Sequence, residues 1–223
     1  MLAVLYEDNH LIAINKVPGD LVQGDSTGDV PLSEKAKLYI KNKFKKTGAV
    51  FLGVVHRLDR PVSGVVVFAR TSKALERMNA LFRNRETVKT YWAIVDKKPR
   101  KDTDVLIHWL IKKESNNTVA YYNNEVPNGL RSELSYKVLS EKNGLYLLEV
   151  KPVTGRSHQI RVQLSAMGCP IIGDVKYGSK RELGRYICLH ARSLRFIHPV
   201  KKEEITMEAE IPNEEFWNQF SSN

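Results

Sequence analysis

Two short apolar runs separated by a charged knot set the tightest limit on how this chain folds. FLGVV (51–55) and GVVVFA (64–69) are rich in β-branched residues and too short for helices, so each predicts a buried strand. Between them lies HRLDRPVSG, with one acid, Asp59, between Arg57 and Arg60. An ionised carboxylate in apolar surroundings needs a charged partner, because desolvating it alone is too costly. From residue type alone, Asp59 is either a turn or ion-pair residue, or a carboxylate held ionised to act as nucleophile or general base. The candidate partners are Arg57, Arg60 and any arginine brought over by folding.

The rest of the chain mixes strand and helix patterns without a regular βαβ rhythm. LYEDNHLIAINKVPGDLVQ predicts two short strands around a Pro-Gly turn. Residues 32–46 predict a helix with Leu32, Ala36, Tyr39, Ile40 and Phe44 inward and six lysines on its other side. TSKALERMNALFRNRE predicts a second helix, capped by Ser72, with a core stripe of Leu75, Met78, Leu81 and Phe82. TVKTYWAIVD predicts a strand, and residues 96–131 predict a polar excursion over the core. SELSYKVLSEKNGLYLLEVKPV predicts a hairpin turning at Lys142-Asn143-Gly144. GRSHQIRVQLSAMG predicts a helix with Ile160, Leu164 and Met167 inward and Gly168 just past its end. Two late strands, YICLHARSLRFIHP and EEITMEAEIP, precede a tail in which Trp217 closes the core. The fold class is therefore α+β, in a single domain over 1–223.

Charge and cysteine usage narrow the function. Lys and Arg outnumber Asp and Glu by 35 to 25, a net +10 that favours an anionic partner, nucleic acid first. No apolar run approaches the roughly 20 residues of a membrane helix, and the acidic start is unlike a signal peptide. Two cysteines without CxxC spacing suit a reduced cytoplasm and argue against a thiolate metal site. HxxxH, HExxH, phosphate-cradling glycine loops and GxSxG are all absent. The remaining features are one well-placed acid, several arginines and a basic surface. They indicate cofactor-free and metal-free chemistry on a polyanion. Arg156, His158 and Arg161 cluster at the start of the third helix, either as a phosphate site or as a source of the partner for Asp59. His158, His190 and His198 read as structural histidines.

Four ordered blocks carry a family resemblance. HRLDRPVSGVVVFA, GRSHQIRVQLSAMGCPIIGDVKYG, LHARSLRFIHP and LYEDNHLIAINKVPG resemble the signature blocks of the RluA family of RNA pseudouridine synthases, over nearly the whole chain. The resemblance implies the pseudouridine synthase catalytic fold: a mixed, largely antiparallel sheet with flanking helices and an RNA-binding cleft, without cofactor. It implies Asp59 as the catalytic aspartate and Arg161 as the basic residue paired with it. Tyr91 corresponds to the tyrosine that stacks on the flipped uracil. Arg57 corresponds to the arginine that enters the RNA stack, and Leu189 to an apolar wall of the uracil pocket. Val62 stands where the family usually has Thr, Gln163 where His is common, and the proline of Lys16-Val17-Pro18-Gly19 is shifted by one place.

The implied reaction breaks the N1–C1′ bond of a uridine, turns the base and joins C5 to C1′. The base must leave the stack first, at a cost of a few kcal/mol that an inserted Arg57 and stacking on Tyr91 offset. The opening strand block begins at Leu2, leaving no room for an N-terminal S4 module, so the expectation is a compact monomer acting on tRNA, on large-subunit rRNA, or on both. Two rival readings are a non-catalytic RNA-binding module, which has no need of an acid facing phosphates, and an Asp59-dependent nucleic-acid hydrolase, which the missing metal ligands disfavour.

Overall fold

The computed structural model describes residues 2–221. In chain order these form β1 (Val4–Glu7), β2 (Leu11–Lys16), α1 (Leu32–Lys43), β3 (Gly53–Val54), β4 (Ser63–Ala69), α2 (Ser72–Arg83) and β5 (Val88–Val95). There follow β6 (Thr103–Lys113), β7 (Thr118–Tyr122), β8 (Leu130–Lys142), β9 (Leu145–Pro152), α3 (Gln159–Ala166), β10 (Leu189–Ile197), β11 (Glu204–Glu208) and α4 (Glu215–Asn218). The architecture is α+β, and the strand pairings whose registers are resolved are all antiparallel. The chain forms two compact units, Met1–Val88 with Ala191–Glu210, and Lys89–His190 with Ile211–Asn223.

In the first unit β4 is the central strand, and all seven of its residues are buried. A strand covered on both faces reads as a continuous apolar run rather than an alternating one, which is why GVVVFA is so uniform. One face carries Leu11, Ala13, Val65, Val67 and Ala69 against Ala74 and Met78 of α2 and Leu194, Phe196 and Met207 of β10 and β11. Gly64 opens β4 at φ +113°, and a Cβ there would lie 2.3 Å from the Ala191 carbonyl oxygen, so no larger residue fits. The two opening strands pair as expected, but their turn is Asp8–His10. Asp8 Oδ1 accepts from the backbone N–H groups of His10 and Leu11, both at 2.8 Å. This is an Asx-type turn, and it leaves Pro18-Gly19 to follow β2. The cap of α2 is Thr71, whose hydroxyl accepts from Ala74 N at 3.1 Å, with Ser72 one place inside the helix. Phe44 lies just past the end of α1 and is exposed, with the Arg70 guanidinium over its ring.

In the second unit the strand order is β5-β9-β8-β6-β7. The β8–β9 hairpin turns at Asn143 (φ 54°) and Gly144 (φ 74°), with Lys142 opposite Leu145. Positive φ at both central positions makes it the two-residue turn that Asn-Gly favours. Residues 96–131 are not an excursion over the core: they contain the long strand β6 and all of β7. Their strand pattern is diluted because one face is open. Val105 and Ile107 are exposed while His108 and Leu110 are buried. On the covered face α3 packs through Gln163, whose amide Nε2 lies 3.1 Å from the Leu106 carbonyl and 3.0 Å from His108 Nδ1. The helix begins at Gln159, with His158 in left-handed conformation before it, so Arg156 and Ser157 lie outside it. Met167 is only half-buried, and Gly168 takes φ +85° just past the helix end. Trp217 of α4 is fully buried, edge-on to His190, and closes the core as expected.

Candidate active site

Asp59 lies in the first unit, on the loop between β3 and β4, half-buried between the exposed Arg57 and Arg60. The loop is fixed by groups on three sides. His56 Nε2 accepts from the β4 amide of Val67 at 3.1 Å, and its ring stacks on Phe82 of α2 at 4.9 Å. The Asp59 carbonyl accepts from Val62 N at 3.0 Å, closing a turn around Arg60 and Pro61. Gly19 N donates to the Arg60 carbonyl at 2.8 Å, and Arg60 Nε donates back to the Gly19 carbonyl at 3.1 Å. The Pro-Gly segment after β2 thus docks against the loop that carries the acid. Arg60 also pairs with Asp29, so among the sequence candidates its guanidinium is engaged away from the acid's own turn.

The residue that sequence reasoning missed here is Lys16, the last residue of β2. It is fully buried, and its ammonium donates to the carbonyls of Val17 (3.2 Å), Arg60 (3.0 Å) and Val62 (2.5 Å). Burial pulls its pKa down to about 8, against the opposing pull of the carboxylates of Asp20 and Asp59. The sequence carries no signal for this beyond a lysine at the end of an apolar strand. The Val62 side chain is buried, which suits the apolar residue found where the resembling family has Thr.

Tyr91, Arg161 and Leu189 lie in the second unit. Tyr91 of β5 is opposite Val150, which is opposite Tyr136, which is opposite Asp104. Directly opposed side chains share a sheet face, so Tyr91 stands on the same face as His108, the face on which α3 lies. The sheet therefore brings Tyr91 and α3 to one side. Leu189 is buried at the start of β10.

Arg161 is 6% exposed and makes a two-pronged pair with Asp174, Nε to Oδ2 at 2.7 Å and Nη2 to Oδ1 at 2.8 Å. Tyr177 lies under the guanidinium, 5.1 Å from ring centre to Cζ. The Tyr177 hydroxyl accepts from Val119 N at 2.9 Å and meets His158 Nδ1 at 2.7 Å. Asp174 and Tyr177 belong to the GDVKYG segment quoted above, but their roles were not read from it. Asp174 is thirteen residues from Arg161, and only the fold brings them together. Gly173 sets up the acid: it takes φ +88°, and a Cβ there would lie 2.8 Å from the Tyr186 carbonyl. Among the described residues no group of three or more His, Cys, Asp or Glu is placed to hold a metal ion. Both cysteines are buried and reduced, and burial pushes their thiols up, away from thiolate nucleophile chemistry.

A family profile described as RNA pseudouridylate synthase matches residues 10–166, a span that contains Arg57, Asp59, Tyr91 and Arg161. The ribosomal large subunit pseudouridine synthase C of Rickettsia felis is 36% identical over 212 residues, which are 94% of this chain and 67% of that protein. The protein of the same name from Vibrio cholerae is 33% identical over 215 residues, covering 93% of this chain and 65% of its own length. The chain thus spans about two thirds of the length of these relatives. Among solved structures, human RNA pseudouridylate synthase domain containing 4 superposes with a TM-score of 0.79 at 26% identity, covering 95% of this chain and 89% of that one. Human RNA pseudouridylate synthase domain containing 1 gives 0.77 at 22% identity, covering 95% and 84%, a likeness of fold. Among the described residues no helix is long and apolar enough to cross a membrane.

Proposed function

Because the chain belongs to the RNA pseudouridylate synthase family, we propose that it isomerises uridines of large-subunit ribosomal RNA in the cytoplasm, with Asp59 as its essential catalytic residue. The observation that carries the reading is the family match over residues 10–166, which takes in the acid, the tyrosine and the arginine in their expected order. The choice of large-subunit rRNA rests on the names of the relatives. The net +10 charge of the chain suits a polyanionic substrate held through its phosphates.

In this reading the target uridine leaves the RNA stack, Arg57 enters the gap, and the base stacks on Tyr91. Arg57 is exposed on its loop, as an entering side chain must be. Asp59 acts on the reacting nucleoside from its braced loop as nucleophile or general base. Arg161 is the basic residue that the family resemblance pairs with this acid. The N1–C1′ bond breaks, the uracil turns, and C5 bonds to C1′. The hydrogen on C5 leaves to solvent, and N1 takes up a proton.

The loss of the C5 hydrogen supplies the test. RNA carrying tritium at uracil C5, made from a strain that lacks the enzyme, should release tritium to water when the protein is added. Excess EDTA should not slow the release. A binding module releases none, and a hydrolase shortens the RNA without touching C5, so either result would overturn the reading. Mapping pseudouridine in total RNA with and without the gene then identifies the substrate. A signal that changes only in tRNA would replace rRNA with tRNA.

A further inference from the structure

We propose that Asp174 is a positioning residue that acts on the isomerisation through Arg161, with the Tyr177 ring as the second half of the same clamp. The inference rests on the role given to Arg161 above. Several independent observations meet at this guanidinium. Asp174 holds it side-on through Nε and Nη2, at 2.7 and 2.8 Å, and a bidentate pair of this kind fixes the plane as well as the position of the group. The guanidinium carbon lies over the Tyr177 ring, 5.1 Å from its centre. Together the two contacts leave the guanidinium little rotational freedom, and so they set the direction in which Nη1 points.

The clamp is itself immobilised. Asp174 is 1% exposed, follows a glycine that no other residue could replace without a clash, and its carbonyl accepts from Tyr177 N and Ser179 N, both at 3.0 Å. The Tyr177 hydroxyl is held by Val119 of β7, and its carbonyl accepts from the Ser165 hydroxyl of α3 at 2.6 Å. Segment 173–178 is thereby tied both to the helix that carries Arg161 and to the sheet beneath it. A charge that must meet a reacting group needs such support, because a displacement of about 1 Å is enough to cost on the order of 10²-fold in rate.

Asp174→Asn keeps the volume of the side chain but turns one acceptor into a donor that opposes Nη2. It should lower the single-turnover rate on RNA about 10- to 100-fold while leaving RNA affinity within about threefold. Arg161→Lys should show the same split. In the Arg161→Lys background, adding Asp174→Asn should cost less than about threefold more, because the two residues act as one unit. A merely structural acid would instead lower the melting temperature and the folded fraction, with the rate per folded molecule unchanged and the two effects additive. That result overturns the proposal. Tyr177→Leu, which leaves Asp174 in place, is the second variant. A fall in rate without a fall in affinity supports the clamp whether or not Asp174→Asn folds, and an unchanged rate per folded molecule refutes it. If Arg161→Lys keeps the full rate, the role of Arg161 itself is wrong. If it is crippled while Asp174→Asn and Tyr177→Leu are not, only the clamp is wrong.

Discussion

Asp59 and Arg161 carry opposite charges and are secured by different means. Asp59 sits half-buried on a loop, and that loop is braced through its main chain: Lys16 and Gly19 on the Arg60 carbonyl, Lys16 on the Val62 carbonyl, and His56 on the amide of Val67. Arg161 sits almost fully buried on a helix, and its own guanidinium is gripped by Asp174 and Tyr177. The first arrangement fixes the backbone that carries the side chain. The second places it by direct contact, at the cost of burying a second charge. They should therefore fail differently. Changes at the acid should strike chemistry and spare stability, whereas changes at the arginine should strike both.

The sharpest division is expected from Asp59→Asn. Pseudouridine formation should fall on the order of 10²- to 10⁴-fold, the range of a lost acid–base group, with the melting curve and RNA affinity close to wild type. Turnover within tenfold of wild type would remove Asp59 from the chemistry. Next in size, Arg161→Ala strands the Asp174 carboxylate, 1% exposed, without its partner. Chemical denaturation should show a loss of about 3–5 kcal/mol, the usual cost of halving a buried pair. Lys16→Met removes the donor shared by three carbonyls and should cost about 2–3 kcal/mol, with a loss of activity because the acid's loop loses its brace.

A pH series on Lys16→Met tests the same residue by another route. The folded-state pKa of Lys16, about 8, lies below its ordinary 10.5. Between those values the unfolded chain binds the extra proton. The stability of wild type relative to Lys16→Met should therefore rise as pH climbs from about 8 to 10.5, and be lost again as pH falls back through 8. A flat difference would mean that the ammonium is not held as described. The smallest effect belongs to Arg60→Ala. Its pair with Asp29 is solvent-exposed on both sides, so less than about 1 kcal/mol should be lost. If Arg60→Ala proved as costly as Arg161→Ala, the contrast between the two regions would collapse.

What the sequence disclosed of the fold was whatever local chemistry decides. The Asn143-Gly144 turn demands positive φ at both central positions, and GVVVFA is legible as a strand buried on both faces. The strand β6 was hidden because burial shapes a strand's pattern, and its open face carries Val105 and Ile107 outside the core. The first turn falls about ten residues before Pro18-Gly19 and the α2 cap one residue before Ser72, since Asp8 competes with Pro-Gly and Thr71 with Ser72 for the same job. In the candidate site, Asp59 and its arginine neighbours stand out because they interrupt apolar runs. The Arg161–Asp174 pair left no such trace, because its two halves meet only through the path of the chain after α3. Lys16 looked like an ordinary lysine at the end of a strand. Only its burial marks it, and burial is a property of the folded chain.

The brace under the Asp59 loop has a consequence for how such a molecule changes over time. Lys16 and Gly19 grip the main chain of Arg60, and Lys16 that of Val62. The side chain of Arg57, which faces solvent, takes no part in those grips, whereas the Arg60 side chain adds one of its own to the Gly19 carbonyl. Replacing Arg57 alters what the loop offers to a passing strand of RNA without altering where the loop stands. Substrate preference is thus free to diverge at the rim of the loop while the position of the acid is inherited unchanged.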